Sequence, residues 1–189
     1  MNLPNSLTVV RIVLAPILVL LLEGGAGPLA LTVFGVGMVT DALDGHLART
    51  RNSITTFGKL MDPVADKLLI GGAFVCLAAI DRIDPWIVAV IVTREVAVSA
   101  LRLVASRHRV VISATRLGKA KTAIQAVAIV ALIVAPNPAA AWVDAIVAAA
   151  VAITVVSGLA YVVSYRTRSR PTALHAAEAP ISRPSSPLG

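Results

Sequence analysis

The chain has 189 residues, 57% of them hydrophobic and 14% charged, and its 17 Lys and Arg against 10 Asp and Glu leave a net charge of +7. A soluble domain averages about 45 to 50% apolar and about 25% charged residues, so the composition points to a chain solvated by lipid. It excludes a disordered chain, a coiled coil and a nucleic-acid binder with a polar basic surface, and the single Cys76 excludes a disulfide scaffold.

A helix crossing about 30 Å of hydrocarbon needs roughly 20 mostly apolar residues. Taken in chain order, the apolar stretches predict an all-α integral membrane fold of six transmembrane helices, over residues 7–22, 28–49, 57–80, 85–105, 117–135 and 139–165. Glu23 and the run Gly24, Gly25, Ala26, Gly27 end the first span in a tight reversal. Residues 81–84 and 136–138 supply the other short turns. Arg11 interrupts the first apolar run, which argues against a cleaved leader.

Alternate loops differ sharply in basic charge. One side carries Arg49, Arg51, Lys59, Arg107, Arg109, Arg116, Lys119, Arg166, Arg168 and Arg170, and the other Arg82 alone. Cytoplasmic loops hold the excess of Lys and Arg, so both termini are expected in the cytoplasm. Residues 1–166 are then expected to form the six-helix transmembrane domain. Residues 167–189, rich in Ser, Ala and Pro, are expected to form a disordered cytoplasmic tail. Trp86 and Trp142 fall near the outer ends of their spans, where amphipathic rings anchor.

The informative stretch is DALDGHLARTRNSITTFGKLMDPVAD, residues 41–66. Charged carboxylates inside a span cost several kcal/mol unless paired, hydrated or bound to a cation, and here there are four. Asp41 and Asp44 are three apart and share a face of the second helix; Asp62 and Asp66 are four apart and share a face of the third. At about 1.5 Å of rise per residue, Asp41 lies roughly 12 Å inward from Arg49. Facing pairs of carboxylates repel in a low dielectric, and a hard divalent cation relieves this. Magnesium suits carboxylates shared with waters and phosphates, whereas zinc would want His or Cys at ligand spacing. The plainer alternative is an ion network with Arg49, Arg51, Lys59 or Lys67. Gly45, Ala48 and Gly58 lack bulk where a ligand would lie, although small residues also serve close helix packing. Arg49 is placed to give a planar, bidentate donor to a phosphate.

Written as a pattern, the stretch is Asp, two residues, Asp-Gly, two residues, Ala-Arg, eight residues, Gly, three residues, Asp, three residues, Asp. This resembles the signature of the CDP-alcohol phosphatidyltransferases, with every fixed position filled. The opening NLPNSLTVVRIVLAPILVLLL and the later TREVAVSALRLVA and LGKAKTAIQ are similar to the bacterial phosphatidylglycerophosphate synthases within that family. About 165 residues are covered, and the tail departs from the pattern. The resemblance implies transfer of a phosphatidyl group from CDP-diacylglycerol to an alcohol, with release of CMP. It implies Asp41, Asp44, Asp62 and Asp66 as ligands of two Mg²⁺ ions, with Mn²⁺ as an alternative, and Asp66 as general base. Asp41, Asp44, Gly45, Ala48, Arg49 and Gly58 would contact CDP. It further implies a homodimer in the inner (cytoplasmic) membrane with its active site facing the cytoplasm.

The acceptor is read from basic residues outside the signature. Arg94 and Arg102 share a similar side of the fourth span, though about 12 Å apart in depth, and Lys119 and Lys121 open the fifth. A phosphorylated acceptor accounts for these cations together and favours sn-glycerol 3-phosphate, with inositol phosphate as the near alternative; Arg94 alone could instead pair with Glu95. Asn5, Thr8 and Arg11 are placed to reach the cytoplasmic cavity, though Asn5 equally suits a helix cap. A metal or proton transporter would spread ionisable groups over the full depth, whereas the signature acids all lie in one half. A lipid-binding scaffold would not need four acids at fixed offsets.

Overall fold

The computed structural model describes residues 3–51, 56–107 and 116–169, with side chains described for 9–43, 67–105 and 117–167. The described residues form six helices and no strand: α1 (Leu3–Glu23), α2 (Gly27–Arg51), α3 (Thr56–Ala79), α4 (Pro85–Arg107), α5 (Arg116–Val134) and α6 (Ala141–Ser169). The six apolar stretches thus become six helices in the expected order. α1 starts ahead of its apolar run, at Leu3, because Pro4 in a first turn gives up an N–H that would have no helical partner anyway. α6 continues to Ser169, a turn past the end of its apolar stretch.

Three short turns gather at one end of the bundle. α1 ends in a Schellman arrangement: Ala26 N–H donates to Leu21 O at 2.9 Å and Gly25 N–H to Leu22 O at 3.1 Å. Gly25 takes the left-handed φ of 69° that this motif requires. α3 ends the same way, with Arg82 N–H on Leu77 O at 2.8 Å and Asp81 N–H on Ala78 O at 3.1 Å. Here Asp81 holds the left-handed position at φ 57°, which short polar side chains tolerate better than most. In the turn before α6, Asn137 Oδ1 accepts from Ala139 N–H at 3.0 Å. Arg82 ties two of these turns together, donating from Nε to Leu132 O at 2.6 Å and from Nη2 to Ala135 O. A cation is thereby set on the carbonyl end of α5, where the helix dipole favours positive charge.

α1 packs along both α2 and α3, α5 along α6, and α4 against α6. The core between them is built from Leu18, Phe34, Phe74, Leu77, Ile129 and Leu132, none more than 2% exposed. α2 and α3 approach closely at Gly37, where an added Cβ would come within 2.6 Å of Leu69 Cδ2. The outward faces are apolar as well: Leu20 is 67% exposed, Val96 62% and Leu159 62%. A helix that is hydrophobic all round belongs in a larger core or in a bilayer. Among the described residues, two helices are long and apolar enough to cross a membrane, Leu117–Val134 and Ala141–Thr167. The apolar parts of α2 and α3, Gly27–Leu43 and Lys67–Ala79, are shorter.

Candidate active site

The acids of the 41–66 stretch lie away from the three turns, toward the other end of the bundle. Asp41 and Asp44 lie on α2, and Asp62 and Asp66 on α3. Of these, Asp41 has a described side chain; the side chains of Asp44, Gly45, Ala48, Arg49, Gly58, Asp62 and Asp66 lie outside the described residues. Among the described side chains no three acids, histidines or cysteines converge.

Asp41 is held from α1. Arg11 Nη1 donates to Asp41 Oδ1 at 2.6 Å, and the Arg11 side chain is 1% exposed while that of Asp41 is 39% exposed. Burying a guanidinium among apolar side chains is costly unless an anion meets it, and α2 delivers that anion from thirty positions along the chain. A cleft of about 20 Å³ opens beside the pair, lined by Arg11, Met38, Asp41, Leu69, Ile70 and Thr122. The first aspartate of the stretch therefore sits where α1, α2, α3 and α5 meet. A hard cation taking oxygen ligands and waters fits this donor. Asp41 offers carboxylate oxygen alone, it is accessible, and its Oδ2 has no partner among the described residues.

A second polar layer joins the remaining helices. Arg94 Nη1 donates to Glu95 Oε1 at 2.9 Å, and Lys121 of α5 donates to the same oxygen. Arg94 also reaches α6, donating from Nε to Thr154 O at 3.1 Å and from Nη2 to Ser157 Oγ at 2.9 Å. Gly158 makes room for this: a Cβ there would stand 3.1 Å from Arg94 Cγ. Gln125 Nε2 donates to Thr154 Oγ1 at 3.0 Å, which itself donates to Ala150 O. Lys67, next in sequence to Asp66, donates to Ser99 Oγ, and Ser99 Oγ donates to Glu95 O at 2.6 Å.

The four basic residues singled out in the sequence are thus placed in two ways. Arg94 and Lys121 meet on one carboxylate, leaving that trio one net positive charge. Arg102 instead lies over the Tyr161 ring, its Cζ 5.8 Å from the centroid, and Lys119 is exposed on α5. Sequence reasoning names Lys67 as an ion partner for the signature acids and Gln125 as a turn further in from Lys121, but it did not anticipate Ser99 in this layer, nor Thr154 and Ser157 as its floor. The one available signal was the position of Lys67 beside Asp66.

A family model of CDP-alcohol phosphatidyltransferases matches residues 1–157. The chain belongs to the CDP-alcohol phosphatidyltransferase family. It is 42% identical over 169 residues to a Mycobacterium tuberculosis protein named "Probable phosphatidylglycerophosphate synthase", covering 85% of this chain and 80% of that one. It is 38% identical over 179 residues to the "CDP-diacylglycerol--glycerol-3-phosphate 3-phosphatidyltransferase" of Bacillus subtilis, covering 85% and 93%. A Rickettsia typhi protein of the same name is 39% identical over 135 residues, covering 70% of this chain and 76% of its own length. The stretch from Asp41 to Asp66 lies within the matched residues, and the Arg11–Asp41 pair includes its first acid.

Proposed function

We propose that this chain transfers the phosphatidyl group of CDP-diacylglycerol to sn-glycerol 3-phosphate, giving phosphatidylglycerophosphate and CMP in phospholipid biosynthesis. The observation that carries the reading is the completely filled signature on two helices joined through α1, in a chain whose relatives bear the names of that enzyme.

Asp41, Asp44, Asp62 and Asp66 would hold two Mg²⁺ ions, with Mn²⁺ able to substitute. When bound, such ions neutralise the pyrophosphate and hold it for in-line displacement. Asp66 accepts the proton of the attacking hydroxyl, the role of a carboxylate within hydrogen-bond reach of a nucleophile. Arg49 gives the donor a bidentate contact, and Gly45, Ala48 and Gly58 leave space for CDP along the helices. The acceptor's phosphate is assigned to Arg94, Arg102, Lys119 and Lys121. The excess of positive charge around Glu95 supports a dianion nearby.

The helices run from 19 to 29 residues, and about 20 suffice to cross a bilayer, so all six are read as spans. The charge asymmetry between loops supports a reading with both termini and the signature on the cytoplasmic side of the inner membrane. Residues 1–166 are read as the catalytic domain, those from 167 to 189 as a disordered cytoplasmic tail, and the working unit as a homodimer.

The test is direct. Purified protein is given CDP-diacylglycerol with, separately, glycerol 3-phosphate, inositol phosphate, inositol and serine, and CMP release is measured. Release with glycerol 3-phosphate alone is expected. Release with inositol phosphate alone would move the chain to the neighbouring activity, and release with none would remove the transferase reading.

A further inference from the structure

We propose that Arg11 is the positioning residue of the signature: it occupies Oδ1 of Asp41 and thereby presents Oδ2 to a divalent cation. The inference rests on the reading of Asp41 as a metal ligand given above, and adds to it a residue from α1, outside the signature altogether.

Three observations support it. The first is burial. At 1% side-chain exposure, Arg11 is among the largest fully buried side chains of the bundle, and a surface topology signal would not be placed there. The second is geometry. A contact of 2.6 Å from Nη1 to Oδ1 is short even for a charge-assisted bond, and it fixes one oxygen of a carboxylate that is otherwise 39% exposed. The third is location. The same cleft is lined by Arg11, Asp41 and Thr122, so the pair faces a shared space instead of being sealed in a packed seam. Asp41 is held on one side and open on the other.

The chemical consequence concerns how Asp41 meets a cation. An unanchored carboxylate can rotate and offer either oxygen or both, and it loses that freedom on binding. A carboxylate with Oδ1 already engaged offers one oxygen in one direction. The guanidinium also balances the Asp41 charge when no cation is bound, which limits repulsion from the other signature acids. Its positive charge opposes a metal ion, but the Asp41 carboxylate 2.6 Å away offsets that charge. Loss of an outer partner to a metal ligand typically costs about 10- to 100-fold in metal affinity. Orientation is therefore expected to outweigh the removed repulsion.

The experiment compares the full-length protein with Arg11→Gln, Arg11→Lys and Asp41→Asn, all purified in detergent. Mn²⁺ binding is followed by electron paramagnetic resonance without substrate, and the Mg²⁺ dependence of CMP release is measured in parallel. Arg11→Gln should raise the Mn²⁺ dissociation constant by about tenfold or more. The half-saturating Mg²⁺ should rise with it, while kcat at saturating Mg²⁺ recovers most of the wild-type value. Arg11→Lys, which keeps the charge but loses the planar fork, should fall between wild type and Arg11→Gln. A purely structural Arg11 would lower the melting temperature and leave the Mn²⁺ affinity of the folded protein unchanged, and that result overturns the proposal. Should Arg11→Gln not fold, Arg11→Lys decides alone: an unchanged dissociation constant overturns the proposal and a several-fold rise supports it. Asp41→Asn separates the two layers of inference. If it leaves Mn²⁺ binding intact, or the wild type binds none, the metal reading of Asp41 fails and this proposal with it. If Asp41→Asn weakens binding and the Arg11 variants do not, only the Arg11 inference fails.

Discussion

The two ends of the bundle are held together by different chemistry. At the end bearing the short turns, backbone carbonyls and amides are closed by Schellman bonds at Gly25 and Asp81, by the Asn137 side chain and by the Arg82 clamp on Leu132 O and Ala135 O. At the other end, side-chain charge meets side-chain charge, in the Arg11–Asp41 pair and the Arg94–Glu95–Lys121 trio. The first kind of closure spends backbone groups on one another and on the Asn137 and Arg82 side chains. The second leaves a half-open carboxylate and a surplus of cations. Stability and chemistry should therefore separate along the bundle axis, and substitutions at the two ends should fail in different assays.

The largest effect is expected at the signature. Asp66→Asn keeps shape but removes the proposed base, and CMP release should fall by about 10² to 10⁴. The melting temperature should stay within a few degrees of wild type. Undiminished turnover would remove Asp66 from that role.

Next comes the trio. Glu95→Ala strands Arg94 and Lys121 with no carboxylate, and removing one partner of a buried pair costs on the order of 3 kcal/mol. The lower end applies because the Glu95 side chain is still 23% exposed. Denaturation in detergent should register the loss, and Glu95→Gln, which still accepts hydrogen bonds, should lose less. Equal stability of Glu95→Ala and wild type would show that the layer is no cross-brace. If the trio also serves the acceptor, Glu95→Gln should change KM for glycerol 3-phosphate more than KM for CDP-diacylglycerol.

These expectations differ in how much of them the chain spells out. The signature is local: Asp41, Asp44, Asp62 and Asp66 sit at fixed offsets, so helix periodicity alone places them in two pairs. The six helices were legible for a similar reason, since runs of about 20 apolar residues separated by Gly, Pro and Asp carry their own boundaries. The partners of Arg11 and Arg82 were not. Arg11 finds its acid 30 positions away, and Arg82 bonds to carbonyls 50 and 53 positions away, which no side chain advertises. Arg94 stands between these cases. Its contact with the adjacent Glu95 is open to inspection, but the sharing of that carboxylate with Lys121 depends on α4 and α5 meeting in space.

At the turn end, Arg82→Ala should cost stability without touching catalysis. It exposes two carbonyls of the α5 terminus and removes a cation from the negative end of a helix dipole. A loss of about 1 to 3 kcal/mol is expected, with kcat and both KM values of the folded protein unchanged. A variant that kept wild-type stability but lost turnover would reverse the assignment of roles to the two ends.

The smallest effect is expected at Asp81. Its left-handed backbone, φ 57°, is strained for any residue with a Cβ, and the matching position after α1 is already Gly25 at φ 69°. Asp81→Gly would give the two Schellman ends the same residue. Relief of the left-handed strain favours the variant by about 1 to 2 kcal/mol, and the greater backbone freedom of glycine in the unfolded chain takes back about 0.5 to 1 kcal/mol. A net gain of about 0 to 1.5 kcal/mol should appear as a small rise in melting temperature. Turnover should not move, because Asp81 lies among the closed turns and its carboxylate takes no part in the signature. A fall in stability would mean that the Asp81 side chain contributes more to that turn than its backbone strain costs.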